Sequence, residues 1–277
     1  MKKNKVSILI PVYNRIEITK KGISQIFLSL SQLHISDIYE VIVIDDGSTD
    51  GTSDWIKQKY PQTIILYGDG NLWWSGAINV GAKYAKEHGA THLLLWNDDV
   101  KPRNDYFKNL LDLLDSDDII YGSTILDINT GEYWFRGCHY SYKFGFTKHV
   151  REIPSKWTIN CLTGMGTCLP ISIIDDIGYW DNKNFPQYYG DVDYTLRAFE
   201  AGYRIIVNDN LVLYNDTRAS SFNQEKSIKK YWRSMFITQS RYNLHKDILF
   251  NTKHAKLFTW RLGFFLKHLK YLINNII

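Results

Sequence analysis

Val41–Thr52 reads VIVIDDGSTDGT. A compact apolar run, Val41–Ile44, ends in two adjacent carboxylates, Asp45 and Asp46, followed by the turn formers Gly47 and Ser48. That is the pattern of a buried strand with a loop at its C-terminal end, the edge at which open α/β sheets bind ligands. Leu93–Val100, LLLWNDDV, repeats it, with Asn97-Asp98-Asp99 after the apolar run. Tyr189–Arg197, YGDVDYTLR, puts Asp191 and Asp193 in the first turn of an expected helix. Carboxylates grouped this way suit a metal–diphosphate substrate and a proton acceptor. Each group also has a plainer reading. Asp45–Ser48 is a good β-turn, Asn97–Asp99 can cap a following helix, and Asp191 and Asp193 suit the positive end of a helix dipole. The intervening Lys101-Pro102-Arg103 weakens the capping reading of Asn97–Asp99.

Outward from these segments, the first hundred residues alternate two periodicities. Strands are expected over Val6–Val12, Tyr39–Ile44, Thr63–Leu66 and Thr91–Trp96. Helices are expected over Ile16–Leu30, Thr52–Tyr60 and Gly76–His88. The order βαβαβαβ implies a parallel sheet with covering helices. Past Val100 the pattern changes to a helix over Asp105–Leu114 and shorter strands over Ile119–Ile125, Glu132–Phe135 and Tyr140–Phe146. A Gly-rich turn over Thr163–Thr167, helices over Ile171–Ile177 and Val192–Ala201 and a strand region over Ile205–Leu213 follow. From Glu225 the chain reads as mostly helical.

The 277 residues are 44% hydrophobic and 15% aromatic, enough for a packed core. A formal charge of +4 is too mild for a nucleic-acid-binding surface. Cys138, Cys161 and Cys168 form no C-x-x-C pair, which fits a reducing compartment. The opening run VSILIPV is short and has no small-residue cleavage site. No run reaches the about twenty apolar residues of a spanning helix. A cytoplasmic protein without a spanning segment is expected. There is no G-x-G-x-x-G after the first strand, no phosphate-binding G-x-x-x-x-G-K-[ST], no H-E-x-x-H and no G-x-S-x-G. Gly68–Gly81, GDGNLWWSGAINVG, instead offers glycines for close backbone approach and Trp73 and Trp74 as cleft walls or core.

Five segments in order resemble the family 2 glycosyltransferases, which have the GT-A fold. They are the strand ending Pro11-Val12-Tyr13-Asn14-Arg15, the IDDGSTDGT loop, the Asn71…Gly76…Asn79…Gly81 spacing, NDDV after a strand, and GDVDYTLRAFEAGYRI. The resemblance covers residues 5–215. GNLWWSGAINVG is similar to bacterial rhamnosyltransferase-like members that build surface polysaccharides. The fold class so implied is α/β, a Rossmann-like, mostly parallel sheet flanked by helices with a C-terminal helical extension. Residues 1–220 would be the GT-A domain, with a nucleotide half to 100 and an acceptor half from 101, and 221–277 a helical region.

The resemblance implies an inverting transfer from a UDP- or dTDP-sugar to a glycan or lipid-linked acceptor of an O-antigen or capsule. Pro11, Tyr13, Asn14 and Asp46 would hold the nucleotide, and Asn71, Trp74, Asn79 and Asn97 would lie along the nucleotide-sugar cleft. Asp98 would meet ribose, and Asp99 would bind Mn²⁺ or Mg²⁺ on the diphosphate. Asp191 matches the second acid of the family's Glu-Asp pair and would be the general base. Three positions depart from the family: Asn97 replaces the first acid of an Asp-any-Asp motif, Gly190 replaces the Glu, and Asn215 or Asp216 stands where many members carry His. A catalytically silent nucleotide-sugar-binding subunit and a sugar-nucleotide pyrophosphorylase are the alternatives. The latter would want a Gly-rich basic loop after the first strand, which Tyr13–Ile16 lacks.

In the tail, Leu262, Phe265, Leu269, Leu272 and Ile276 recur at helical spacing, with Leu266 and Ile273 beside them. Lys253, Lys256, Lys267 and Lys270 lie largely off that stripe. The segment 253–277 is therefore expected to lie on an anionic membrane surface at the cytoplasmic face, or to pack on the catalytic domain.

Overall fold

The computed structural model describes residues 4–150, 152, 156, 158–217, 228–238, 240 and 242–276. Its first half runs β1 (Val6–Val12), α1 (Ile16–Gln32), β2 (Tyr39–Asp45), α2 (Thr52–Lys59), β3 (Ile64–Tyr67), α3 (Trp73–Glu87) and β4 (His92–Leu95). The four strands are parallel, in the order β3-β2-β1-β4. β1, β2 and β4 are apolar on both faces because both faces are covered. Ile8, Ile10, Val41 and Val43 enter one core layer with Ile23, Ile26 and Leu30 of α1. Leu9, Ile42 and Ile44 enter the other with the small face of α3, Ala77, Ile78, Ala82 and Ala85. Close approach of α3 requires Gly81, where a Cβ would stand 2.9 Å from Ile44 Cδ1.

The second half adds β5 (Val100–Pro102), α4 (Tyr106–Leu111), β6 (Ile119–Asp127), β7 (Tyr133–Phe135), β8 (Cys138–Ser141), β9 (Phe146–His149), β10 (Thr167–Pro170), α5 (Ile173–Ile177), α6 (Gly190–Glu200) and β11 (Arg204–Asn215). The main path of the sheet is β3-β2-β1-β4-β10-β6-β11-β5, with β7 paired to β6. β10 runs antiparallel to β4 and to β6, between the two halves. Neither β5 nor β10 is expected from sequence. Both are three or four residues long, end in proline, and become strands only because neighbours reach them. The expected strand over Tyr140–Phe146 is instead a hairpin, β8 against β9, turning through Gly145 at φ 64°.

Three helices follow among the described residues: α7 (Ile228–Ser234), α8 (Leu244–His254) and α9 (Trp260–Ile276). α8 is docked on the body. Phe250 is buried, with its ring 5.2 Å from those of Tyr140 and Tyr189 and 5.9 Å from that of Phe185. α9 packs closely where Gly263 meets the β8–β9 turn: a Cβ there would stand 1.8 Å from the Phe144 carbonyl oxygen. Its inner face is mixed, with Phe264 and Tyr271 beside polar groups. Lys267 and His268 each reach Asp247 Oδ2 at 2.8 Å. The apolar stripe faces outward, with Leu262, Phe265, Leu266, Leu269 and Ile273 all exposed. Of the expected basic flank, Lys267 turns inside, while Lys253, Lys256 and Lys270 stay exposed. Lys253 pairs with Asp193 and Asp181, Lys267 with Asp247, and Lys256 Nζ lies 4.6 Å from the centre of the Tyr142 ring. Glu225 and the side chain of Ile276 lie outside the described residues.

Candidate active site

The register aligns the strand ends at one edge. Val12 pairs with Asp45 and Asp45 with Tyr67, so the loops after β1, β2 and β3 emerge together. Acids at such an edge need partners, because a desolvated carboxylate is costly unless hydrogen-bonded. Asp45 is buried, accepting from the Ser48 N–H at 2.8 Å and from the Ser53 hydroxyl. Asp46 is also buried. Its Oδ1 accepts from the N–H groups of Gly70 (2.9 Å) and Leu72 (3.2 Å), and Oδ2 from that of Trp73 (3.0 Å). Asp46 thus holds the loop before α3 and places negative charge at that helix's N-terminus. Asn14, at φ 48°, does similar work: its N–H donates to Ser48 Oγ at 2.9 Å and its side-chain oxygen accepts from the Thr49 N–H at 2.8 Å.

The Asn97-Asp98-Asp99 turn divides in the same way. Asp98 is 1% exposed and receives the Arg15 guanidinium on Oδ1 and the Thr19 hydroxyl on Oδ2 at 2.7 Å. Burial pushes its carboxyl up from the usual range, against the pull of Arg15 and Thr19. Asp99 stays open, its side chain 41% exposed, with Arg15 Nη1 at 3.7 Å. Asn97 Oδ1 accepts from Trp74 Nε1 at 3.3 Å.

Asp191 opens α6 from the facing side. Its Oδ2 accepts from the Gly164 N–H at 3.0 Å and its Oδ1 from the Val192 N–H at 2.9 Å. Burial raises its pKa, and these N–H groups pull the other way. Trp74 lies between the two acidic groups. A Cβ on Gly164 would stand 2.1 Å from Trp74 Cζ2, so that glycine lets the indole lie on the backbone that holds Asp191. Asn97, Trp74, Gly164 and Asp191 therefore form one continuous line of contacts, from the end of β4 to the start of α6.

Other expected site residues already have partners within the protein. Asp46 and Asp98 turn inward and accept hydrogen bonds on both oxygens, as Asp191 does. Asn79 likewise spends its amide on the backbone of Trp180, donating to the carbonyl and accepting from the N–H, each at 2.9 Å. Asp193, two residues beyond Asp191, is fully buried on another set of partners: Lys253 at 2.7 Å, His254 at 2.9 Å and Arg197 at 3.0 Å. Burial works against its charge, but His254, Lys253 and Arg197 prevail and hold its pKa low. Pro11 is half-buried at the strand end, while Tyr13 and Asn71 are exposed in the loops after β1 and β3. Arg15, the last residue of the Pro11–Arg15 segment, gained no role from sequence, yet it is the cation against both Asp98 and Asp99.

Gly190 has a local reason for lacking the family's acid. A Cβ there would stand 2.1 Å from Ser75 Oγ and 2.9 Å from the Phe185 carbonyl oxygen, a pair already bonded to each other at 2.6 Å.

A match to the family model described as glycosyl transferase family 2 spans residues 7–170, more than half of the chain. The chain belongs to this family. It is 27% identical over 206 residues to the glycosyltransferase AglE of Haloferax volcanii, covering 72% of this chain and 63% of that protein. It is 24% identical over 165 residues to the dTDP-rhamnosyl transferase RfbF of Shigella flexneri, covering 58% and 54%. A 39% identical stretch of 110 residues matches an uncharacterized glycosyltransferase of Rickettsia bellii, covering 39% of this chain and 14% of that one. The chain thus spans less than two thirds of each of these relatives. Among solved structures, the mannosyltransferase PcManGT of Pyrobaculum calidifontis, in complex with GDP-Man and Mn²⁺, superposes with a TM-score of 0.60 at 14% identity over 95% of this chain and 74% of that one. GalNAc-T7 with UDP, GalNAc and Mn²⁺ gives 0.63 at 12% identity over 77% and 44%. The fold is that of the GT-A glycosyltransferases.

Restoring the family's acid should damage this site. Gly190→Glu should lower the melting temperature by several degrees, the result of overpacking at ~1–3 kcal/mol, and should give no gain in turnover. Thermal unfolding and an initial-rate assay check both.

Proposed function

We propose that the chain is an inverting glycosyltransferase that moves a sugar, rhamnose among the candidates, from a UDP- or dTDP-linked donor. Its acceptor would be a hydroxyl of a glycan or lipid-linked saccharide in bacterial O-antigen or capsule assembly. The reading rests chiefly on Asp191, a carboxylate with a raised pKa at the end of the Asn97–Trp74–Gly164 line. The acceptor oxygen forms a bond to the anomeric carbon and gives its proton to Asp191. The bond from that carbon to the diphosphate oxygen breaks on the opposite face, and the diphosphate leaves with the electron pair. Gly164 and Val192 orient the base by their N–H groups. Tyr13, Pro11 and Asn71 border the place for the nucleotide, and the Trp74 indole that for the sugar. The name of the Shigella relative supports a deoxythymidine donor, and the UDP-GlcNAc complex of S. aureus TarS a uridine one.

Among the described residues no three His, Cys, Asp or Glu side chains gather to hold a metal. Open Asp99 fits a Mg²⁺ or Mn²⁺ ion that takes its other ligands from phosphate oxygens and water. Such an ion would neutralise charge on the leaving diphosphate. Arg15 is placed to share that task from the protein side.

No helix among the described residues is long and apolar enough to cross a membrane. The outward stripe of α9 suits contact with the cytoplasmic surface of an anionic bilayer, where a lipid-linked acceptor would be met. Exposed Trp232 and Phe236 of the α7 region add to the apolar surface.

Asp191→Asn should lower transfer by ~10²–10⁴-fold while donor binding stays close to wild type. A near-normal rate would remove Asp191 as the base. Because only the ionised form accepts a proton, wild-type kcat should rise with pH through an inflection above the ordinary aspartate value of about 4.

Asp99→Ala should weaken the Mn²⁺-dependent part of donor binding. Calorimetric titrations in Mn²⁺ and in EDTA that give one affinity for both proteins would leave Arg15 alone with the diphosphate.

The full chain should sediment with vesicles containing anionic lipid at low salt, and Phe265→Glu with Leu269→Glu should release it. If the wild type stays in the supernatant, the stripe has another role.

A further inference from the structure

The backbone that aims Asp191 is unusual. Tyr188 and Tyr189 both have positive φ, 60° and 66°, immediately before Gly190 and Asp191. Two successive non-glycine residues in the left-handed region cost of order 1 kcal/mol each and persist only where the surroundings impose them. The surroundings that do so come from the C-terminal helices, some sixty residues further along the chain. Lys246 of α8 is 4% exposed, and its ammonium donates to the carbonyl oxygens of Gln187 and, at 2.7 Å, of Thr238. The Tyr189 ring lies on Phe250, and Lys267 Nζ reaches its hydroxyl at 3.3 Å.

Gln187 is the junction. Its carbonyl is held by Lys246, while its side-chain oxygen accepts from the Trp74 N–H at 3.3 Å. One side of the residue is fixed to α8 and the other to the start of α3, beside the indole that contacts Gly164. A buried ammonium bonded to carbonyls is a costly filler, since an aliphatic chain of equal volume avoids its desolvation. What the ammonium adds is direction at the carbonyl leading into the left-handed pair. Burial alone pushes its pKa down to about 8.

We propose that Lys246 is a positioning residue for sugar transfer: by holding the Gln187 carbonyl it sets the Tyr188–Tyr189 turn and hence the direction in which Asp191 leaves the start of α6. The proposal rests on Asp191 being the base.

The test is a comparison of full-length wild type, Lys246→Met, Lys246→Arg and Asp191→Asn, with kcat, donor KM and nucleotide affinity measured for each. Lys246→Met removes the donors and keeps the stem. Misplacing a reacting group by about 1 Å costs on the order of 10²-fold, so kcat should fall tenfold to a hundredfold. Donor KM and nucleotide affinity should stay within about twofold on the same scale of effects. Lys246→Arg, which restores the donors, should recover most of the loss. Should Lys246→Met fail to fold, Lys246→Ala, which leaves room for water to reach the carbonyls, should show the same split. A folded variant with wild-type kcat overturns the proposal, as does an equal loss of nucleotide affinity and kcat, the mark of general loosening. If Asp191→Asn is inactive while Lys246→Met is fully active, the base stands and the positioning role falls. If Asp191→Asn is itself active, the base assignment is what fails.

Discussion

Everything at the candidate edge depends on how four carboxylates are neutralised at the ends of β2 and β4, the strands on either side of β1. Asp45 and Asp46 are adjacent, as are Asp98 and Asp99. Buried without partners, such pairs would repel one another and bind protons. The fold turns three of them inward. Backbone N–H groups take Asp46, serine groups take Asp45, and Arg15 with Thr19 takes Asp98. Each inward acid fixes a loop, and together those loops leave Asp99 open. The acidity that marks the edge is thus mostly architectural.

On the other bank, α6 treats its two acids oppositely. Asp191 has only N–H partners and a raised pKa, whereas Asp193 has three cationic or imidazole partners and a lowered one. Two residues along a helix are enough to point side chains in different directions. One acid is thereby left with backbone partners alone, and the other fastens α8 to the body. The C-terminal helices are accordingly fastened to the body through buried polar groups as well as rings, with an apolar stripe facing out on α9.

The parallel half of the sheet was legible because strands buried on both faces write continuous Val, Ile and Leu runs. β5 and β10 were not, since their strand character comes from neighbours far away in sequence. The site was legible as a set of acids after strands and before a helix. The sequence shows that Asp46 and Asp98 exist, but not how many N–H groups or guanidinium nitrogens converge on them. That count is what makes each of them a loop brace. Lys246, Lys253 and His254 left no local signal, because their importance arises from partners about sixty residues away. Gly190 reads as a loss of the family's acid until Ser75 is seen to occupy the space.

The antiparallel strand β10 also dictates an order of assembly. β4 is an interior strand only because β10 covers its free side, and β10 lies at Thr167–Pro170. A chain leaving the ribosome completes β1 to β4 long before those residues appear. Until then the edge of β4 offers unpaired N–H and C=O groups to any extended segment nearby, including the same strand of another nascent chain. The four residues that join the two halves are therefore also the ones that withdraw this edge from other chains.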